Sequence, residues 1–221
     1  ANLTGALVDG ADFSAADLVG ARLTDCDMAE ALLAHALFAK AIDTLGSQVQ
    51  RAIFDHERWI DSNGRKGQRA ELDGADLSRA DLRGVNLSGA SLRGANLTGA
   101  SLAGGRFMMA DLSGALLDGA KLYGVDLSGA NLSYASLAGA DLSRAQMGPA
   151  EIKDANGRST GRSWAANLAG ADLRGAFLIA AALNQANLSD ANLDGALLDG
   201  ANLTGAKIQR IGVTGGGPRR R

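Results

Sequence analysis

The chain has almost no sulfur chemistry available to it. Cys26 is its only cysteine, so no internal disulfide can form, and a reduced compartment is the simpler setting. Its two histidines, His35 and His56, lie far apart in sequence, which argues against a multi-histidine metal site within one chain. Aromatic residues make up only 4%, whereas a layered globular core leans on bulky side chains. No run approaches the roughly 20 apolar residues that a membrane span needs. Neither sign of charge dominates: the formal net charge is -2, so no general attraction to nucleic acid or to an anionic membrane follows. A GxxxxGK[ST] phosphate loop is also missing, because "NGRSTGR" at 156–162 lacks the lysine and the strand–loop–helix frame.

What is abundant is small. The 30 glycines sit beside many alanines and leucines, a low-complexity mixture with a period and too much leucine for disorder. Residues 75–102, "ADLSRADLRGVNLSGASLRGANLTGASL", place a leucine at every fifth position. On an α-helix five residues advance about 500°, which scatters the leucines around every side. On a straight strand five is odd, so successive leucines would alternate faces. Two inward positions, an alanine and the leucine two residues later, followed by a corner, satisfy both facts. Four corners of about 90° close a coil in about 20 residues, and coils then stack as parallel strands about 4.8 Å apart. Glycine two residues after the leucine suits a tight corner. Asp, Asn or Ser just before the leucine points outward and can bond the turn backbone.

The repeated A(D/N)LxG phrase resembles the pentapeptide-repeat family over about three quarters of the chain. That resemblance implies an all-β solenoid, a right-handed quadrilateral parallel β-helix. Repeat centres run from Leu3 to Phe38, from Leu72 to Ile152, and from Leu168 to Ile208. They predict about eight coils, roughly 40 Å in height. The expected organisation is N-terminal coils over 1–40, a helix-and-loop insertion over 41–69 and a main block over 70–154. A projecting loop over 155–165, C-terminal coils over 166–208 and a flexible basic tail over 209–221 follow. No single coil can offset its own ordering cost, since a buried leucine contributes about 1.5–3 kcal/mol against about 1–2 kcal/mol per ordered backbone residue. Stability must be cooperative.

In the first insertion, Ser47 and Gln50 make a capping-box pattern, and Val49, Ile53 and Trp59 fall on one helical face. "DSNG" at 61–64 signals a turn back to the coils. The segment 29–40 reads equally as repeat or as an earlier start of that helix. The second break shifts the register by one residue, so it cannot be silent pentapeptides. Both breaks end in similar polar phrases, "NGRKGQRAELDGADL" and "NGRSTGRSWAANLAGADL", each closing just before an inward alanine. The stretch from "HERWIDSNGRKGQR" onward also resembles linkers between repeat blocks in bacterial members of the family.

No catalytic constellation emerges, and no cofactor, metal or enzymatic activity is expected. His56 sits among Asp55, Glu57 and Asp61 without further ligands at fitting spacing, and reads as a solvated helix end. His35 lies at an outward corner or on a helix face, with no role assigned. Cys26 stands in "TDCDM", whose acids disfavour a thiolate, so its role is structural. The Asn-Leu-Ser/Thr sequons fall out of the repeat itself and carry no weight. Charge does show a pattern: the three repeat runs hold 20 acidic and 11 basic residues, while the breaks and tail hold 4 and 11. A mildly acidic rod thus carries basic protrusions at Arg65, Lys66 and Arg69, at Arg158 and Arg162, and at Arg219, Arg220 and Arg221. Much of that charge serves solubility.

The reading is a non-enzymatic structural or protein-interaction scaffold. Candidate partner contacts are Trp59, Arg65, Lys66, Arg158, Arg162 and Trp164, because tryptophan is enriched at interface hot spots; the other reading has both tryptophans packed back on the coils as caps. The family resemblance also implies an alternative, a DNA mimic that binds gyrase or topoisomerase as quinolone-resistance proteins do. Arginines at Arg79, Arg83, Arg93 and Arg144, leucine rather than phenylalanine at most centres, and the tail "IQRIGVTGGGPRRR" depart from that pattern. Expected partners are therefore another protein or further copies of the chain, in end-to-end or other homo-oligomeric association, and neither nucleic acid nor a membrane; the open coil at Ala1 suggests either missing residues or end-to-end stacking. Cytoplasmic residence is expected, with export left open by an N-terminus that lacks methionine.

Overall fold

The computed structural model describes residues 3–14, 16, 18, 26, 28, 30–32, 40, 42–154 and 157–209. His35, the tail after residue 209 and most of 29–40, with the choice there between repeat and helix, lie outside them. Among the described residues the regular elements are a 3-10 turn (Ile42–Thr44), helix α1 (Ser47–Asp61), and strands β1 (Ala150–Lys153) and β2 (Ser159–Trp164). Everything else ordered is built from single-residue bridges. Those bridges are parallel and, within an uninterrupted block, join residues 20 apart, as in Asp76 with Asn96, Asn96 with Leu116 and Leu116 with Ser136. Four such ladders climb the main block, one per pentapeptide, so 20 residues make one coil. The flat stretch between corners is too short to register as an extended strand, which is why the β-structure takes this punctuated form.

In each pentapeptide three backbone bonds tie one coil to the next. The Leu92 N–H donates to the Asp111 carbonyl at 2.7 Å, the Gly94 N–H to the Ser113 carbonyl at 2.9 Å, and the Asp111 N–H to the Ala90 carbonyl at 2.9 Å. A further bond closes the corner, from the Ala95 N–H back to the Leu92 carbonyl at 3.1 Å. Its third residue, Gly94, has φ 62°, in the left-handed region that a type II turn demands. Where the residue before the leucine is Asp or Asn, its side chain supports the turn from outside. Ser113 N–H donates to Asp111 Oδ1 at 3.1 Å and Thr98 N–H to Asn96 Oδ1 at 3.1 Å.

Inward positions form one continuous core. Leu77, Leu92, Leu117, Leu142, Leu173 and Leu183 are 0% exposed, as are Ala95, Ala120 and Ala145. Phe107 and Met147 occupy leucine places and are equally buried. The series of buried centres ends at Met147. Ile152, expected as the next centre, lies half-exposed on β1 instead.

The second break is a hairpin and not the simple projecting loop the sequence suggested over 155–165. β1 pairs antiparallel with β2, Ala150 opposite Trp164 and Ile152 opposite Arg162, with a bulge after Ile152. Because the hairpin leaves and returns at one corner, the coil resumes without loss of pairing. Asn131 bridges Asn167 across the insertion, and Asn167 bridges Asn187. The first break differs from its sequence reading at the helix start. Gly46 is the N-cap with no side-chain cap bond, so Ser47 lies one position too far in to cap. Gln50 Nε2 instead donates to the carbonyls of Asp43 and Leu45. Ile53 of α1 is buried and Val49 packs against the core cluster.

Corner glycines should therefore differ sharply in tolerance. At Gly114 (φ 65°) an added methyl meets open space, while at Gly129 (φ 65°) it lies 2.7 Å from Ala150 Cβ and 3.0 Å from the Trp164 carbonyl. Gly114→Ala is expected to cost only about 1–2 kcal/mol of backbone strain, which Ala180 already sustains at φ 55°. Gly129→Ala should cost clearly more and displace the hairpin. Guanidinium unfolding midpoints compare the two variants, and equal costs would show that the hairpin is not tightly seated.

Candidate interaction site at the hairpin

The second break stands out from the coils and carries their largest exposed aromatic side chain. All six residues of β2 are exposed. Its tip is tied internally: the Arg158 N–H donates to Asp154 Oδ1 at 2.9 Å, and the Asp154 N–H to the Arg158 carbonyl at 2.9 Å. Trp164 ends β2 and remains 59% exposed. It borders a cleft of about 270 Å³ with Met109, Ala110, Asp111, Gly129 and Asn131. Met109 occupies a corner position with φ 56°, where the neighbouring coil has Gly129, and it is 46% exposed. Holding a long side chain in that conformation costs backbone energy, and its effect here is to expose a thioether at the cleft that Trp164 borders.

Trp59 is placed differently. It is half-buried and stacks on His56 with ring centroids 5.4 Å apart. Arg65 and Lys66 are exposed and border an open cleft with Arg58 and Asp61. The six residues singled out from sequence thus separate into two patches, with Arg158, Arg162 and Trp164 on the hairpin and Trp59, Arg65 and Lys66 around the end of α1.

Sequence reasoning missed His56. It is 0% exposed, so the solvated helix end expected there is overturned. Nδ1 accepts the Ala70 N–H at 3.0 Å. That amide would, in a regular corner, donate to the backbone carbonyl three residues earlier, as the Ala75 N–H does to Leu72. The signal that could have found it is positional: residue 70 opens the repeat directly after a helix, so some group on that helix has to serve its amide.

Several carboxylates along the coils are paired with a cation. Asp73 accepts from Arg93 Nε at 2.8 Å and from the Ser91 hydroxyl, and these bonds hold its carboxyl below the usual range. Arg83 lowers Asp81 and Arg174 lowers Asp172 in the same way. Among the described residues no three His, Cys, Asp or Glu side chains gather as a metal would require. Cys26 is half-buried, its Sγ 3.5 Å from Met28 Sδ.

The family model for pentapeptide repeats matches residues 1–42, 68–107, 110–147 and 166–205, in 8 copies. The chain belongs to the pentapeptide-repeat family. Membership implies a right-handed β-helix solenoid, and proteins of this family are generally structural repeat proteins, many of which mediate protein interactions. Among solved structures, the chain is similar to the pentapeptide-repeat protein Rfr23 from the cyanobacterium Cyanothece 51142, at 30% identity over 51% of this chain and 63% of that one, with a TM-score of 0.29. It therefore spans less than two thirds of the length of that relative. It is also similar to HetL of Nostoc sp. strain PCC 7120, a pentapeptide-repeat protein involved in regulating heterocyst differentiation, at 30% identity over 93% and 88% of the two chains, with a TM-score of 0.24. A further similarity, at 19% identity over 63% and 80% with a TM-score of 0.28, is to QnrB1, a plasmid-mediated fluoroquinolone resistance protein. No curated protein matches the chain. Among the described residues no helix is long and apolar enough to cross a membrane.

Replacing Arg93 with alanine should raise the Asp73 pKa toward the ordinary carboxylate value, because its principal hydrogen-bond donor is gone. In the parent protein the bond contributes stability above the unfolded carboxylate pKa of about 3.9, and that contribution is lost as pH falls through the lower folded value. Titration of the Asp73 side-chain carbon by NMR reads the shift, and an unchanged midpoint would show that the ion pair is not formed in solution.

Proposed function

We propose that this pentapeptide-repeat protein is a non-enzymatic scaffold that presents the hairpin at 150–164 to a protein partner. In this reading the coils close as a right-handed quadrilateral rod of about eight turns, divided by the insertions at 41–69 and around 150–165. The observation that carries it is the exposure of Trp164 and Met109 at one cleft against backbone-bonded coils. An exposed tryptophan costs solubility and contributes nothing to the buried core, whereas a rigid aromatic anchor beside a shallow cleft is the usual centre of a binding hot spot. Arg158 and Arg162 add positive charge at the rim, which favours a partner surface of acidic character and speeds its approach. Trp59, Arg65 and Lys66 form a second, weaker candidate patch, since Trp59 spends part of its surface on His56.

The DNA-mimic alternative is less well supported. A mimic of the phosphate backbone needs uncompensated negative charge along a face, and Asp73, Asp81, Asp172 and Asp76 are each paired with a cation. We expect no inhibition of gyrase supercoiling by the protein.

The scaffold reading is tested by affinity capture from the native host with the intact chain and with Trp164→Ala and Arg158→Glu/Arg162→Glu variants. Loss of a captured partner in both variants, with unchanged circular dichroism, supports the hairpin as the recognition element. A partner retained undiminished by both would remove the hairpin from that role.

A further inference from the structure

We propose that His56 makes the docking of α1 onto the main coils a pH-sensitive latch, closed when the imidazole is neutral and released when it is protonated. Elsewhere each coil is served by the one before it: the Gly74 N–H donates to Arg93, Arg79 to Thr98 and Gly84 to Ala103, each pair 19 residues apart. Before Ala70 the chain is helix and loop, so the corner bond that its N–H would make to a carbonyl three residues earlier is made instead to the ring of His56 on α1.

Nδ1 accepts the Ala70 N–H at 3.0 Å, which places the single ring proton of the neutral form on Nε2. Nε2 is buried and forms no hydrogen bond. The nearby acceptor is the Ser88 carbonyl, the counterpart of the Arg93, Thr98 and Ala103 carbonyls in the scheme above. Other ties reinforce the seat. The Gln68 N–H donates to the Asp55 carbonyl at 3.1 Å, Gly67 packs on the backbone at Asp55 and Trp59, and Ile53 enters the core cluster. Lys40 of the preceding run still bridges Ala80, so release would uncover the α1 seat and leave that face paired.

A proton on Nδ1 would set two donors against each other and put a charge where the ring is 0% exposed. The charged groups around the ring do not offset this. Arg69, paired with Glu71 at 2.7 Å, adds positive potential from the coil side, and on α1 Asp55 is paired with Arg58 while Glu57 points to solvent. Burial and Arg69 both push the His56 pKa down, with Ser88 the one opposing influence. The sign follows from that depression. Docking is fully stabilised above the ordinary imidazole pKa of about 6.5, and weakens by up to about tenfold per pH unit as pH falls below it, until the lower docked value is passed.

Hydrogen exchange on the full chain at pH 7.5 and pH 5, corrected for intrinsic rates, tests the latch. The amides of 53–60 should lose protection at pH 5, by up to about thirtyfold, while those of 112–142 keep theirs. His56→Gln, which can still accept from Ala70 and cannot titrate, should abolish the difference. Equal protection of α1 at both pH values would overturn the proposal, as would parallel loss in the main coils or an unaltered pH response in the glutamine variant. If that variant does not dock α1, NMR titration of His56 in the parent chain decides: a midpoint at or above 6.5 refutes the latch, and a lower one sustains it.

Discussion

Every pentapeptide of a coil hangs on a backbone bond from its central leucine N–H to the carbonyl 19 residues further on, as between Leu92 and Asp111. Extra chain between the partners is accommodated only where it leaves and returns at one point, as between Leu132 and Asn167. One residue more or fewer would carry every inward leucine to a corner or a face, and the alanine–leucine filling of the interior would be lost. The five-residue phrase is therefore a constraint on distance along the chain before it is a statement about side chains. Alanine, leucine and glycine then follow from it, as the residues that fit a narrow interior and a left-handed corner.

An insertion into such a stack must leave and return at the same place. The two breaks meet that demand by different means. At 150–164 the chain pairs with itself, Ala150 opposite Trp164, so the antiparallel ribbon closes its own circuit and Asn131 meets Asn167 as though nothing intervened. The side-chain ladder crosses the gap too, with Asn167 Nδ2 donating to Asn131 Oδ1 at 3.1 Å. At 43–69 the chain folds a helix beside the coils and cannot offer backbone where a coil would. His56 fills that deficit, and Trp59 covers His56. One tryptophan is consequently turned inward and the other left in solvent, although the two breaks read alike.

The charge pattern takes its meaning from these positions. Acidic residues precede leucine because their carboxylates bond the turn, and arginines one residue after leucine reach back to them, as Arg83 does to Asp81 and Arg174 to Asp172. Such exposed pairs add little stability. Their effect is to neutralise only the carboxylates they reach; the coils stay acidic on balance, and Arg158 and Arg162 on the hairpin stand out against them.

Much of the fold was legible in the residues themselves. The period set the coil length, the inward pair and the corner, because these depend on geometry that repeats locally and needs no knowledge of distant contacts. The end of the main block at Met147, the hairpin beyond it and the failed capping box at Ser47 were not legible, since each depends on what the inserted segment meets when it returns. The same holds for the candidate sites. Trp59 and Trp164 could be named from the sequence as the anchors most open to a partner, yet nothing in the phrases around them distinguishes the one that stacks on a histidine from the one that faces a cleft. Sequence alone determined that this chain winds in 20-residue coils, because backbone pairing at a fixed interval leaves no other use for a leucine every five residues. Only the tertiary structure decided that His56 is buried and Trp164 is not, because burial at a break depends on which backbone groups the neighbouring coil leaves to be satisfied.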